Sequence, residues 1–89
     1  MCIDHTVQIW QEGDTYVAHA HPLDVMSCGE SPEEARRNLE EAVRLFLKVA
    51  EEQGTLEEVL REAGYILKDH HWSAPEIISS ERVSLSLSA

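Results

Sequence analysis

LDVMSCGESPEEARRNLEEAVRLFL, residues 23–47, holds the junction that decides the fold: a short strand stops at Gly29 and a fully signalled helix begins. Ser31 has the side chain of an N-cap, Pro32 suits the first helical position, and Glu34 stands three residues after the cap, where its carboxylate answers the backbone of Ser31. From there Ala35, Leu39, Ala42, Val43, Phe46, Leu47 and Ala50 recur at intervals of three and four. They form one apolar stripe that must face a sheet or another helix.

Upstream of the junction the period is two. His5, Val7 and Ile9 alternate with Thr6, Gln8 and Trp10, and Glu12-Gly13-Asp14 supplies the turn of a hairpin. On its second strand, Tyr16, Ala18 and Ala20 share one side, where small alanines let a helix approach closely, and Val17, His19 and His21 share the other. Pro22 interrupts the pattern and Leu23 to Cys28 resumes it as a third strand.

Downstream, Gly54 suits the end of the long helix, Thr55 with Glu58 repeats the capping-box spacing, and Gly64 closes a second helix of about three turns. Tyr65 to Leu67 reads as a brief strand or a helix exit, and Lys68 to Ser80 as a connection. Val83, Leu85 and Leu87 then alternate with Ser84, Ser86 and Ser88 as a last strand that returns to the sheet or to a neighbour's. The predicted class is α+β, in the order β-β-β-α-α-β, with an antiparallel sheet covered on one face by the long helix and one domain over residues 1–89.

Net charge is −10, and no Lys or Arg precedes Arg36. Such a chain repels nucleic acid and suits a basic protein partner, although acidity also serves plain solubility. Cys2 and Cys28 are too few for a disulfide framework, and no charged leader precedes the first strand, so the cytoplasm is the expected compartment. No apolar run approaches the roughly 20 residues that span a bilayer.

Taken in order, Tyr16-Val17-Ala18, Leu23-Asp24-Val25, Gly29-Glu30-Ser31, Glu33-Glu34-Ala35 and Asn38-Leu39-Glu40-Glu41-Ala42-Val43 make a pattern that resembles the HicB family of small bacterial antitoxins, in particular its short members. The resemblance implies a partial ribonuclease-H-like fold, self-association, and binding of a small basic HicA-type toxin that cleaves messenger RNA. Two departures stand out: His21-Pro22 where relatives often have Pro-Glu, and Ser27-Cys28-Gly29 where Ser-Gln-Gly is common. A contact made by those side chains in the family is not carried over. With the sequence ending at Ser86-Leu87-Ser88-Ala89, no separate DNA-binding domain is expected.

Three other chemistries compete with this reading. Two-metal catalysis would need carboxylates converging at strand ends, and Asp4, Asp14 and Asp24 are the candidates, yet solvated aspartates are ordinary at turns. His19, His21, Cys28, His70 and His71 contain the donors of a zinc site, but adjacent His70 and His71 point differently and exposed histidines need no metal. A Cys28 thiolate with His19 or His21 as base is disfavoured by acidic surroundings. The expectation is thus a non-enzymatic antitoxin, without cofactor or metal, acting as a homodimer or larger homo-oligomer. It would meet its toxin through Trp10 as anchor and Glu12, Asp14, Asp24 and Glu30 around it. The competing readings are an orphan homo-oligomeric module of the same fold without a toxin, and a histidine-based metal protein.

Overall fold

A computed structural model describes residues 1–88; Ala89 lies outside the described residues. The chain is α+β, with elements β1 (Cys2–Ile3), β2 (Thr6–Glu12), β3 (Thr15–His21), β4 (Val25–Gly29), α1 (Pro32–Glu52), α2 (Leu56–Glu62), β5 (Ile66–Lys68) and β6 (His71–Ser73). Strands β2, β3 and β4 form an antiparallel sheet in that order. A second sheet has the order β1-β6-β5, with β1 parallel to β6 and β5 antiparallel to it.

The β2–β3 hairpin closes on Glu12 opposite Thr15. Gly13, first of the two turn residues, has φ of 60°, the value that a type II′ turn assigns to glycine at that position. Asp24 ends the β3–β4 turn with φ of 60° and donates its N–H to the Ala20 carbonyl at 2.8 Å. Asp tolerates this left-handed conformation better than most residues.

Helix α1 starts as its sequence prescribes. Ser31 Oγ accepts the Glu34 N–H at 3.1 Å, with Glu33 and Glu34 in the first turn, where the helix dipole favours negative charge. The reciprocal bond differs from the expected one: Glu34 Oε1 receives the N–H of Glu30, one residue before Ser31, at 3.4 Å. Both helices end in the same motif. The Gly54 N–H meets the Glu51 carbonyl and the Thr55 N–H that of Ala50; after α2, the Gly64 N–H meets Arg61 and the Tyr65 N–H meets Leu60. With φ of 74° at Gly54 and 96° at Gly64, each is a Schellman ending, and after α2 the two bonded positions are the buried apolar residues Leu60 and Tyr65. The capping box predicted at Thr55 does not form, because the Thr55 hydroxyl is bonded backward to the Ala50 carbonyl at 3.3 Å.

The core runs between the β2-β3-β4 sheet and α1, where Ala18, Ala20, Leu23, Ala35, Leu39 and Val43 are buried, and continues into Leu60, Tyr65 and Trp72. The predicted stripe is therefore largely the buried face, with one exception. Phe46 is partly exposed beside Leu45 and Val49, because it lies toward the shallow cleft between α1 and α2 rather than over the sheet.

Two segments depart from the predicted order. The connection after residue 68 contains a hairpin whose turn residues, Asp69 and His70, have φ of 53° and 64°, the two positive values of a type I′ turn. It carries Trp72 into the core, under the Arg61 guanidinium at 5.3 Å, and puts β6 beside β1. The strand predicted over Val83–Leu87 does not form: residues 74–88 have no regular structure, and Val83, Leu85 and Leu87 stand exposed, burying no apolar face that would repay the ordering of a strand. No helix among the described residues is long and apolar enough to cross a membrane.

Two predictions follow from the packing. A Cβ on Gly29 would stand 2.7 Å from the Ala35 nitrogen and 2.9 Å from the Glu34 carbonyl carbon, both backbone atoms. Gly29→Ala should therefore cost about 1–3 kcal/mol in urea unfolding, as overpacked sites do. The Tyr65 hydroxyl, bonded to the Asp4 carbonyl, is pushed up from 10.0 to about 12 by burial and then by the Asp4 charge. The unfolded chain ionises this group first, so its contribution is complete below pH 10 and is lost as pH rises toward 12. Tyr65→Phe should lower stability by about 1 kcal/mol at neutral pH and flatten that alkaline decline in melts recorded across the range.

Candidate protein-binding face

Alternation along the strands divides the β2-β3-β4 sheet into two unlike faces. Val7, Ile9, Ala18, Ala20, Val25 and Ser27 point toward α1. Thr6, Gln8, Trp10, Val17, His19, Met26 and Cys28 point the other way, where no helix among the described residues covers them and Ala74 to Ile77 share a cleft with Thr6 and Gln8.

At the middle of this open face Trp10 stands opposite Val17, which stands opposite Cys28, while His19 is flanked by Gln8 and Met26. Trp10 is 37% exposed and Met26 53%. The Trp10 and His19 rings are tilted at 49° with centroids 6.5 Å apart. Both are tied to a carboxylate: Trp10 Nε1 donates to Glu12 Oε1 at 2.9 Å, and His19 Nε2 lies 2.8 Å from Asp24 Oδ1. An aromatic and sulfur-bearing strip is thus held in place by acidic side chains on its rim. That combination of an apolar, oriented centre and a polar margin characterises protein-binding patches.

The five residues predicted for the site fall into three places. Trp10 and Glu12 are bonded neighbours on the open face. Asp14 is in the β2–β3 turn and Glu30 directly follows β4; since Tyr16 pairs with Gly29, both lie at the same end of the sheet as Glu12. Asp24 lies at the opposite end, joined to the centre through His19. The structure therefore brings Glu12, Asp14 and Glu30, with Trp10 beside Glu12, to one end of the sheet and Asp24 to the other. Sequence reading missed Met26, whose exposure follows from the two-residue period of β4, and the His19–Asp24 pair, which depends on the left-handed turn at Asp24.

The three aspartates weighed for metal catalysis are dispersed. Asp4 is engaged with His71 at 2.7 Å beside the second sheet, Asp14 sits in a hairpin turn, and Asp24 pairs with His19. His70 and His71 belong to the β5–β6 hairpin, while His19, His21 and Cys28 belong to the first sheet, so the donors considered for zinc are split between the two. Among the described residues, no three His, Cys, Asp or Glu side chains are grouped closely enough to hold a metal ion. Cys2 and Cys28 are both free and exposed.

No family model, no curated protein and no solved structure matches the chain.

Proposed function

We propose that this protein is an antitoxin-like binding module of the HicB kind, which silences a small basic HicA-type ribonuclease by covering the surface that engages RNA. The observation that carries this reading is the open sheet face. It centres on a partly exposed, oriented Trp10, its strands contain no Lys or Arg, and carboxylates stand at both ends. The resemblance in residues 16–43 supplies the identity of the partner, and the net charge of −10 suits a basic one.

Its action is steric and electrostatic rather than catalytic. The acidic rim draws the toxin in, and Trp10 with Met26 and Val17 is buried on contact, excluding RNA from the same surface. Trp10 is held by Glu12 before any partner arrives, so little side-chain freedom is lost on binding. Proteins of this class work in the cytoplasm, and that is where we place the chain. A second reading, an orphan homo-oligomeric module without a toxin, draws on the outer edges of β2 and β4, which pair with no strand among the described residues.

Mixing the purified chain with the short basic protein encoded beside its gene should stop cleavage of an RNA substrate at equimolar ratio, with affinity falling as salt is raised. Trp10→Ala should weaken the complex by about 30-fold or more, the loss of an aromatic anchor worth about 2 kcal/mol. Glu12→Lys should slow association most strongly at low salt. Undiminished RNA cleavage in molar excess of the chain would refute the antitoxin reading and leave the orphan module.

A further inference from the structure

Trp10 and Glu12 form a fixed pair at one end of the open face. The Trp10 indole N–H, which lies in the plane of the ring, donates to Glu12 Oε1 at 2.9 Å, so the carboxylate is held at the ring's edge and the two ring faces are left for other contacts. His19 meets the indole at 49° with centroids 6.5 Å apart, a tilted contact rather than a stacked one. Both members of the pair are exposed, and the cleft lined by Ala74 to Ile77 reaches Thr6 and Gln8 but neither of them.

The same chain shows what an indole and a carboxylate can hold between them. Beside the second sheet, the Arg61 guanidinium lies 5.3 Å from the centre of the Trp72 ring while its Nη2 is 2.9 Å from Glu57 Oε1, so one planar cation serves both groups. Around Trp10 and Glu12 the chain supplies no such cation. No Lys or Arg precedes Arg36, and none of the ion pairs among the described residues includes Glu12. Asp14 and Glu30, at the same end of the sheet, add two further carboxylates. The charge complementary to this end of the face is therefore positive and comes from outside the sheet.

We propose, resting on the antitoxin reading for the identity of the partner, that Trp10 and Glu12 are the recognition site for an arginine side chain of that basic protein, its guanidinium stacked on the indole and hydrogen-bonded to Glu12. A planar guanidinium lies along a ring face and still donates N–H groups sideways to a carboxylate. An ammonium is a compact, more strongly hydrated charge with no plane to stack. Arginine is thus selected over lysine at equal charge. Because the indole N–H already fixes the carboxylate, the incoming guanidinium finds ring and acceptor in position, and the charge-assisted bond costs little ordering on this side of the contact.

The indole N–H resonances of Trp10 and Trp72, the two tryptophans of the chain, read the site when the full chain is titrated with the capped peptide Gly-Arg-Gly-Arg-Gly and with its lysine and citrulline counterparts. The arginine peptide should shift Trp10 and not Trp72, bind about threefold or more tighter than the lysine peptide, and lose most of its affinity when citrulline removes the charge. Glu12→Gln keeps an oxygen to accept the indole N–H but removes the charge. It should weaken the arginine peptide by about threefold or more and erase its advantage over lysine. Glu41→Gln, an equal loss of charge at an exposed position of α1, should leave both peptides unchanged. Equal binding of the arginine and lysine peptides, an unshifted Trp10, or an equal loss from Glu41→Gln overturns the site. RNA cleavage by the short basic protein encoded beside the gene keeps the two failures apart. Inhibition without any arginine preference removes this site and leaves the antitoxin; arginine binding at Trp10 without inhibition leaves the site and removes the antitoxin.

Discussion

The close approach of α1 to β3 is the constraint from which the remaining arrangement descends. Ala18 and Ala20 are wholly buried beneath Ala35, Leu39 and Val43, and larger side chains at either alanine would lift the helix from the sheet. Gly29 extends the same constraint to the junction, where β4 hands over to α1 with the two backbones nearly touching. The Asn38 side-chain amide then bonds the Cys28 carbonyl at 2.8 Å, pinning the first turns of the helix to the strand that precedes it. Helix and sheet are locked at this spacing, and on the outward face of the sheet Trp10 and Met26 remain exposed.

The elements legible in the sequence were those whose signals are local. A serine cap, an acidic first turn, a 3.6-residue stripe and a glycine after each helix act within a few residues, and α1, α2, the β2–β3 hairpin and β4 all stand close to where their patterns put them. The second sheet was not legible. Its strands are two or three residues long, too short to display a period, and its tight turn is built from Asp69 and His70 in a conformation more often given to glycine or asparagine. The Val83–Leu87 alternation predicts a strand that is not there, because a period of two gives the pattern of a strand without the pairing and burial that make one. In the candidate site, the position of Trp10 on the uncovered face followed from alternation, whereas its bond to Glu12 and the coupling of His19 to Asp24 depend on rotamers and turn geometry.

Charge is segregated as clearly as hydrophobicity. All Lys and Arg residues fall at or after Arg36, and on the helices Arg44 and Arg61 are engaged with Glu40 and Glu57 one turn away. Such exposed pairs add little stability, but they neutralise acidic side chains along the helical layer. Strands β2, β3 and β4 contain no Lys or Arg, so the acidic side chains around that sheet have no basic neighbour on it. The two unlike faces of that sheet thus differ in chemistry as well as in cover.

The pairing of β1 with β6 joins residues from opposite ends of the fold; Asp4 and His71, which flank it, are 67 positions apart. Closing so long a loop is slow relative to the neighbour-to-neighbour contacts of the hairpin and α1. During synthesis on the ribosome, the first sheet and its helix are complete by residue 52, yet Cys2 and Ile3 must wait for His71 and Trp72 to emerge. A nascent chain therefore carries a half-finished core until its last elements arrive, and stalled translation between those two points would release a product that proteases recognise.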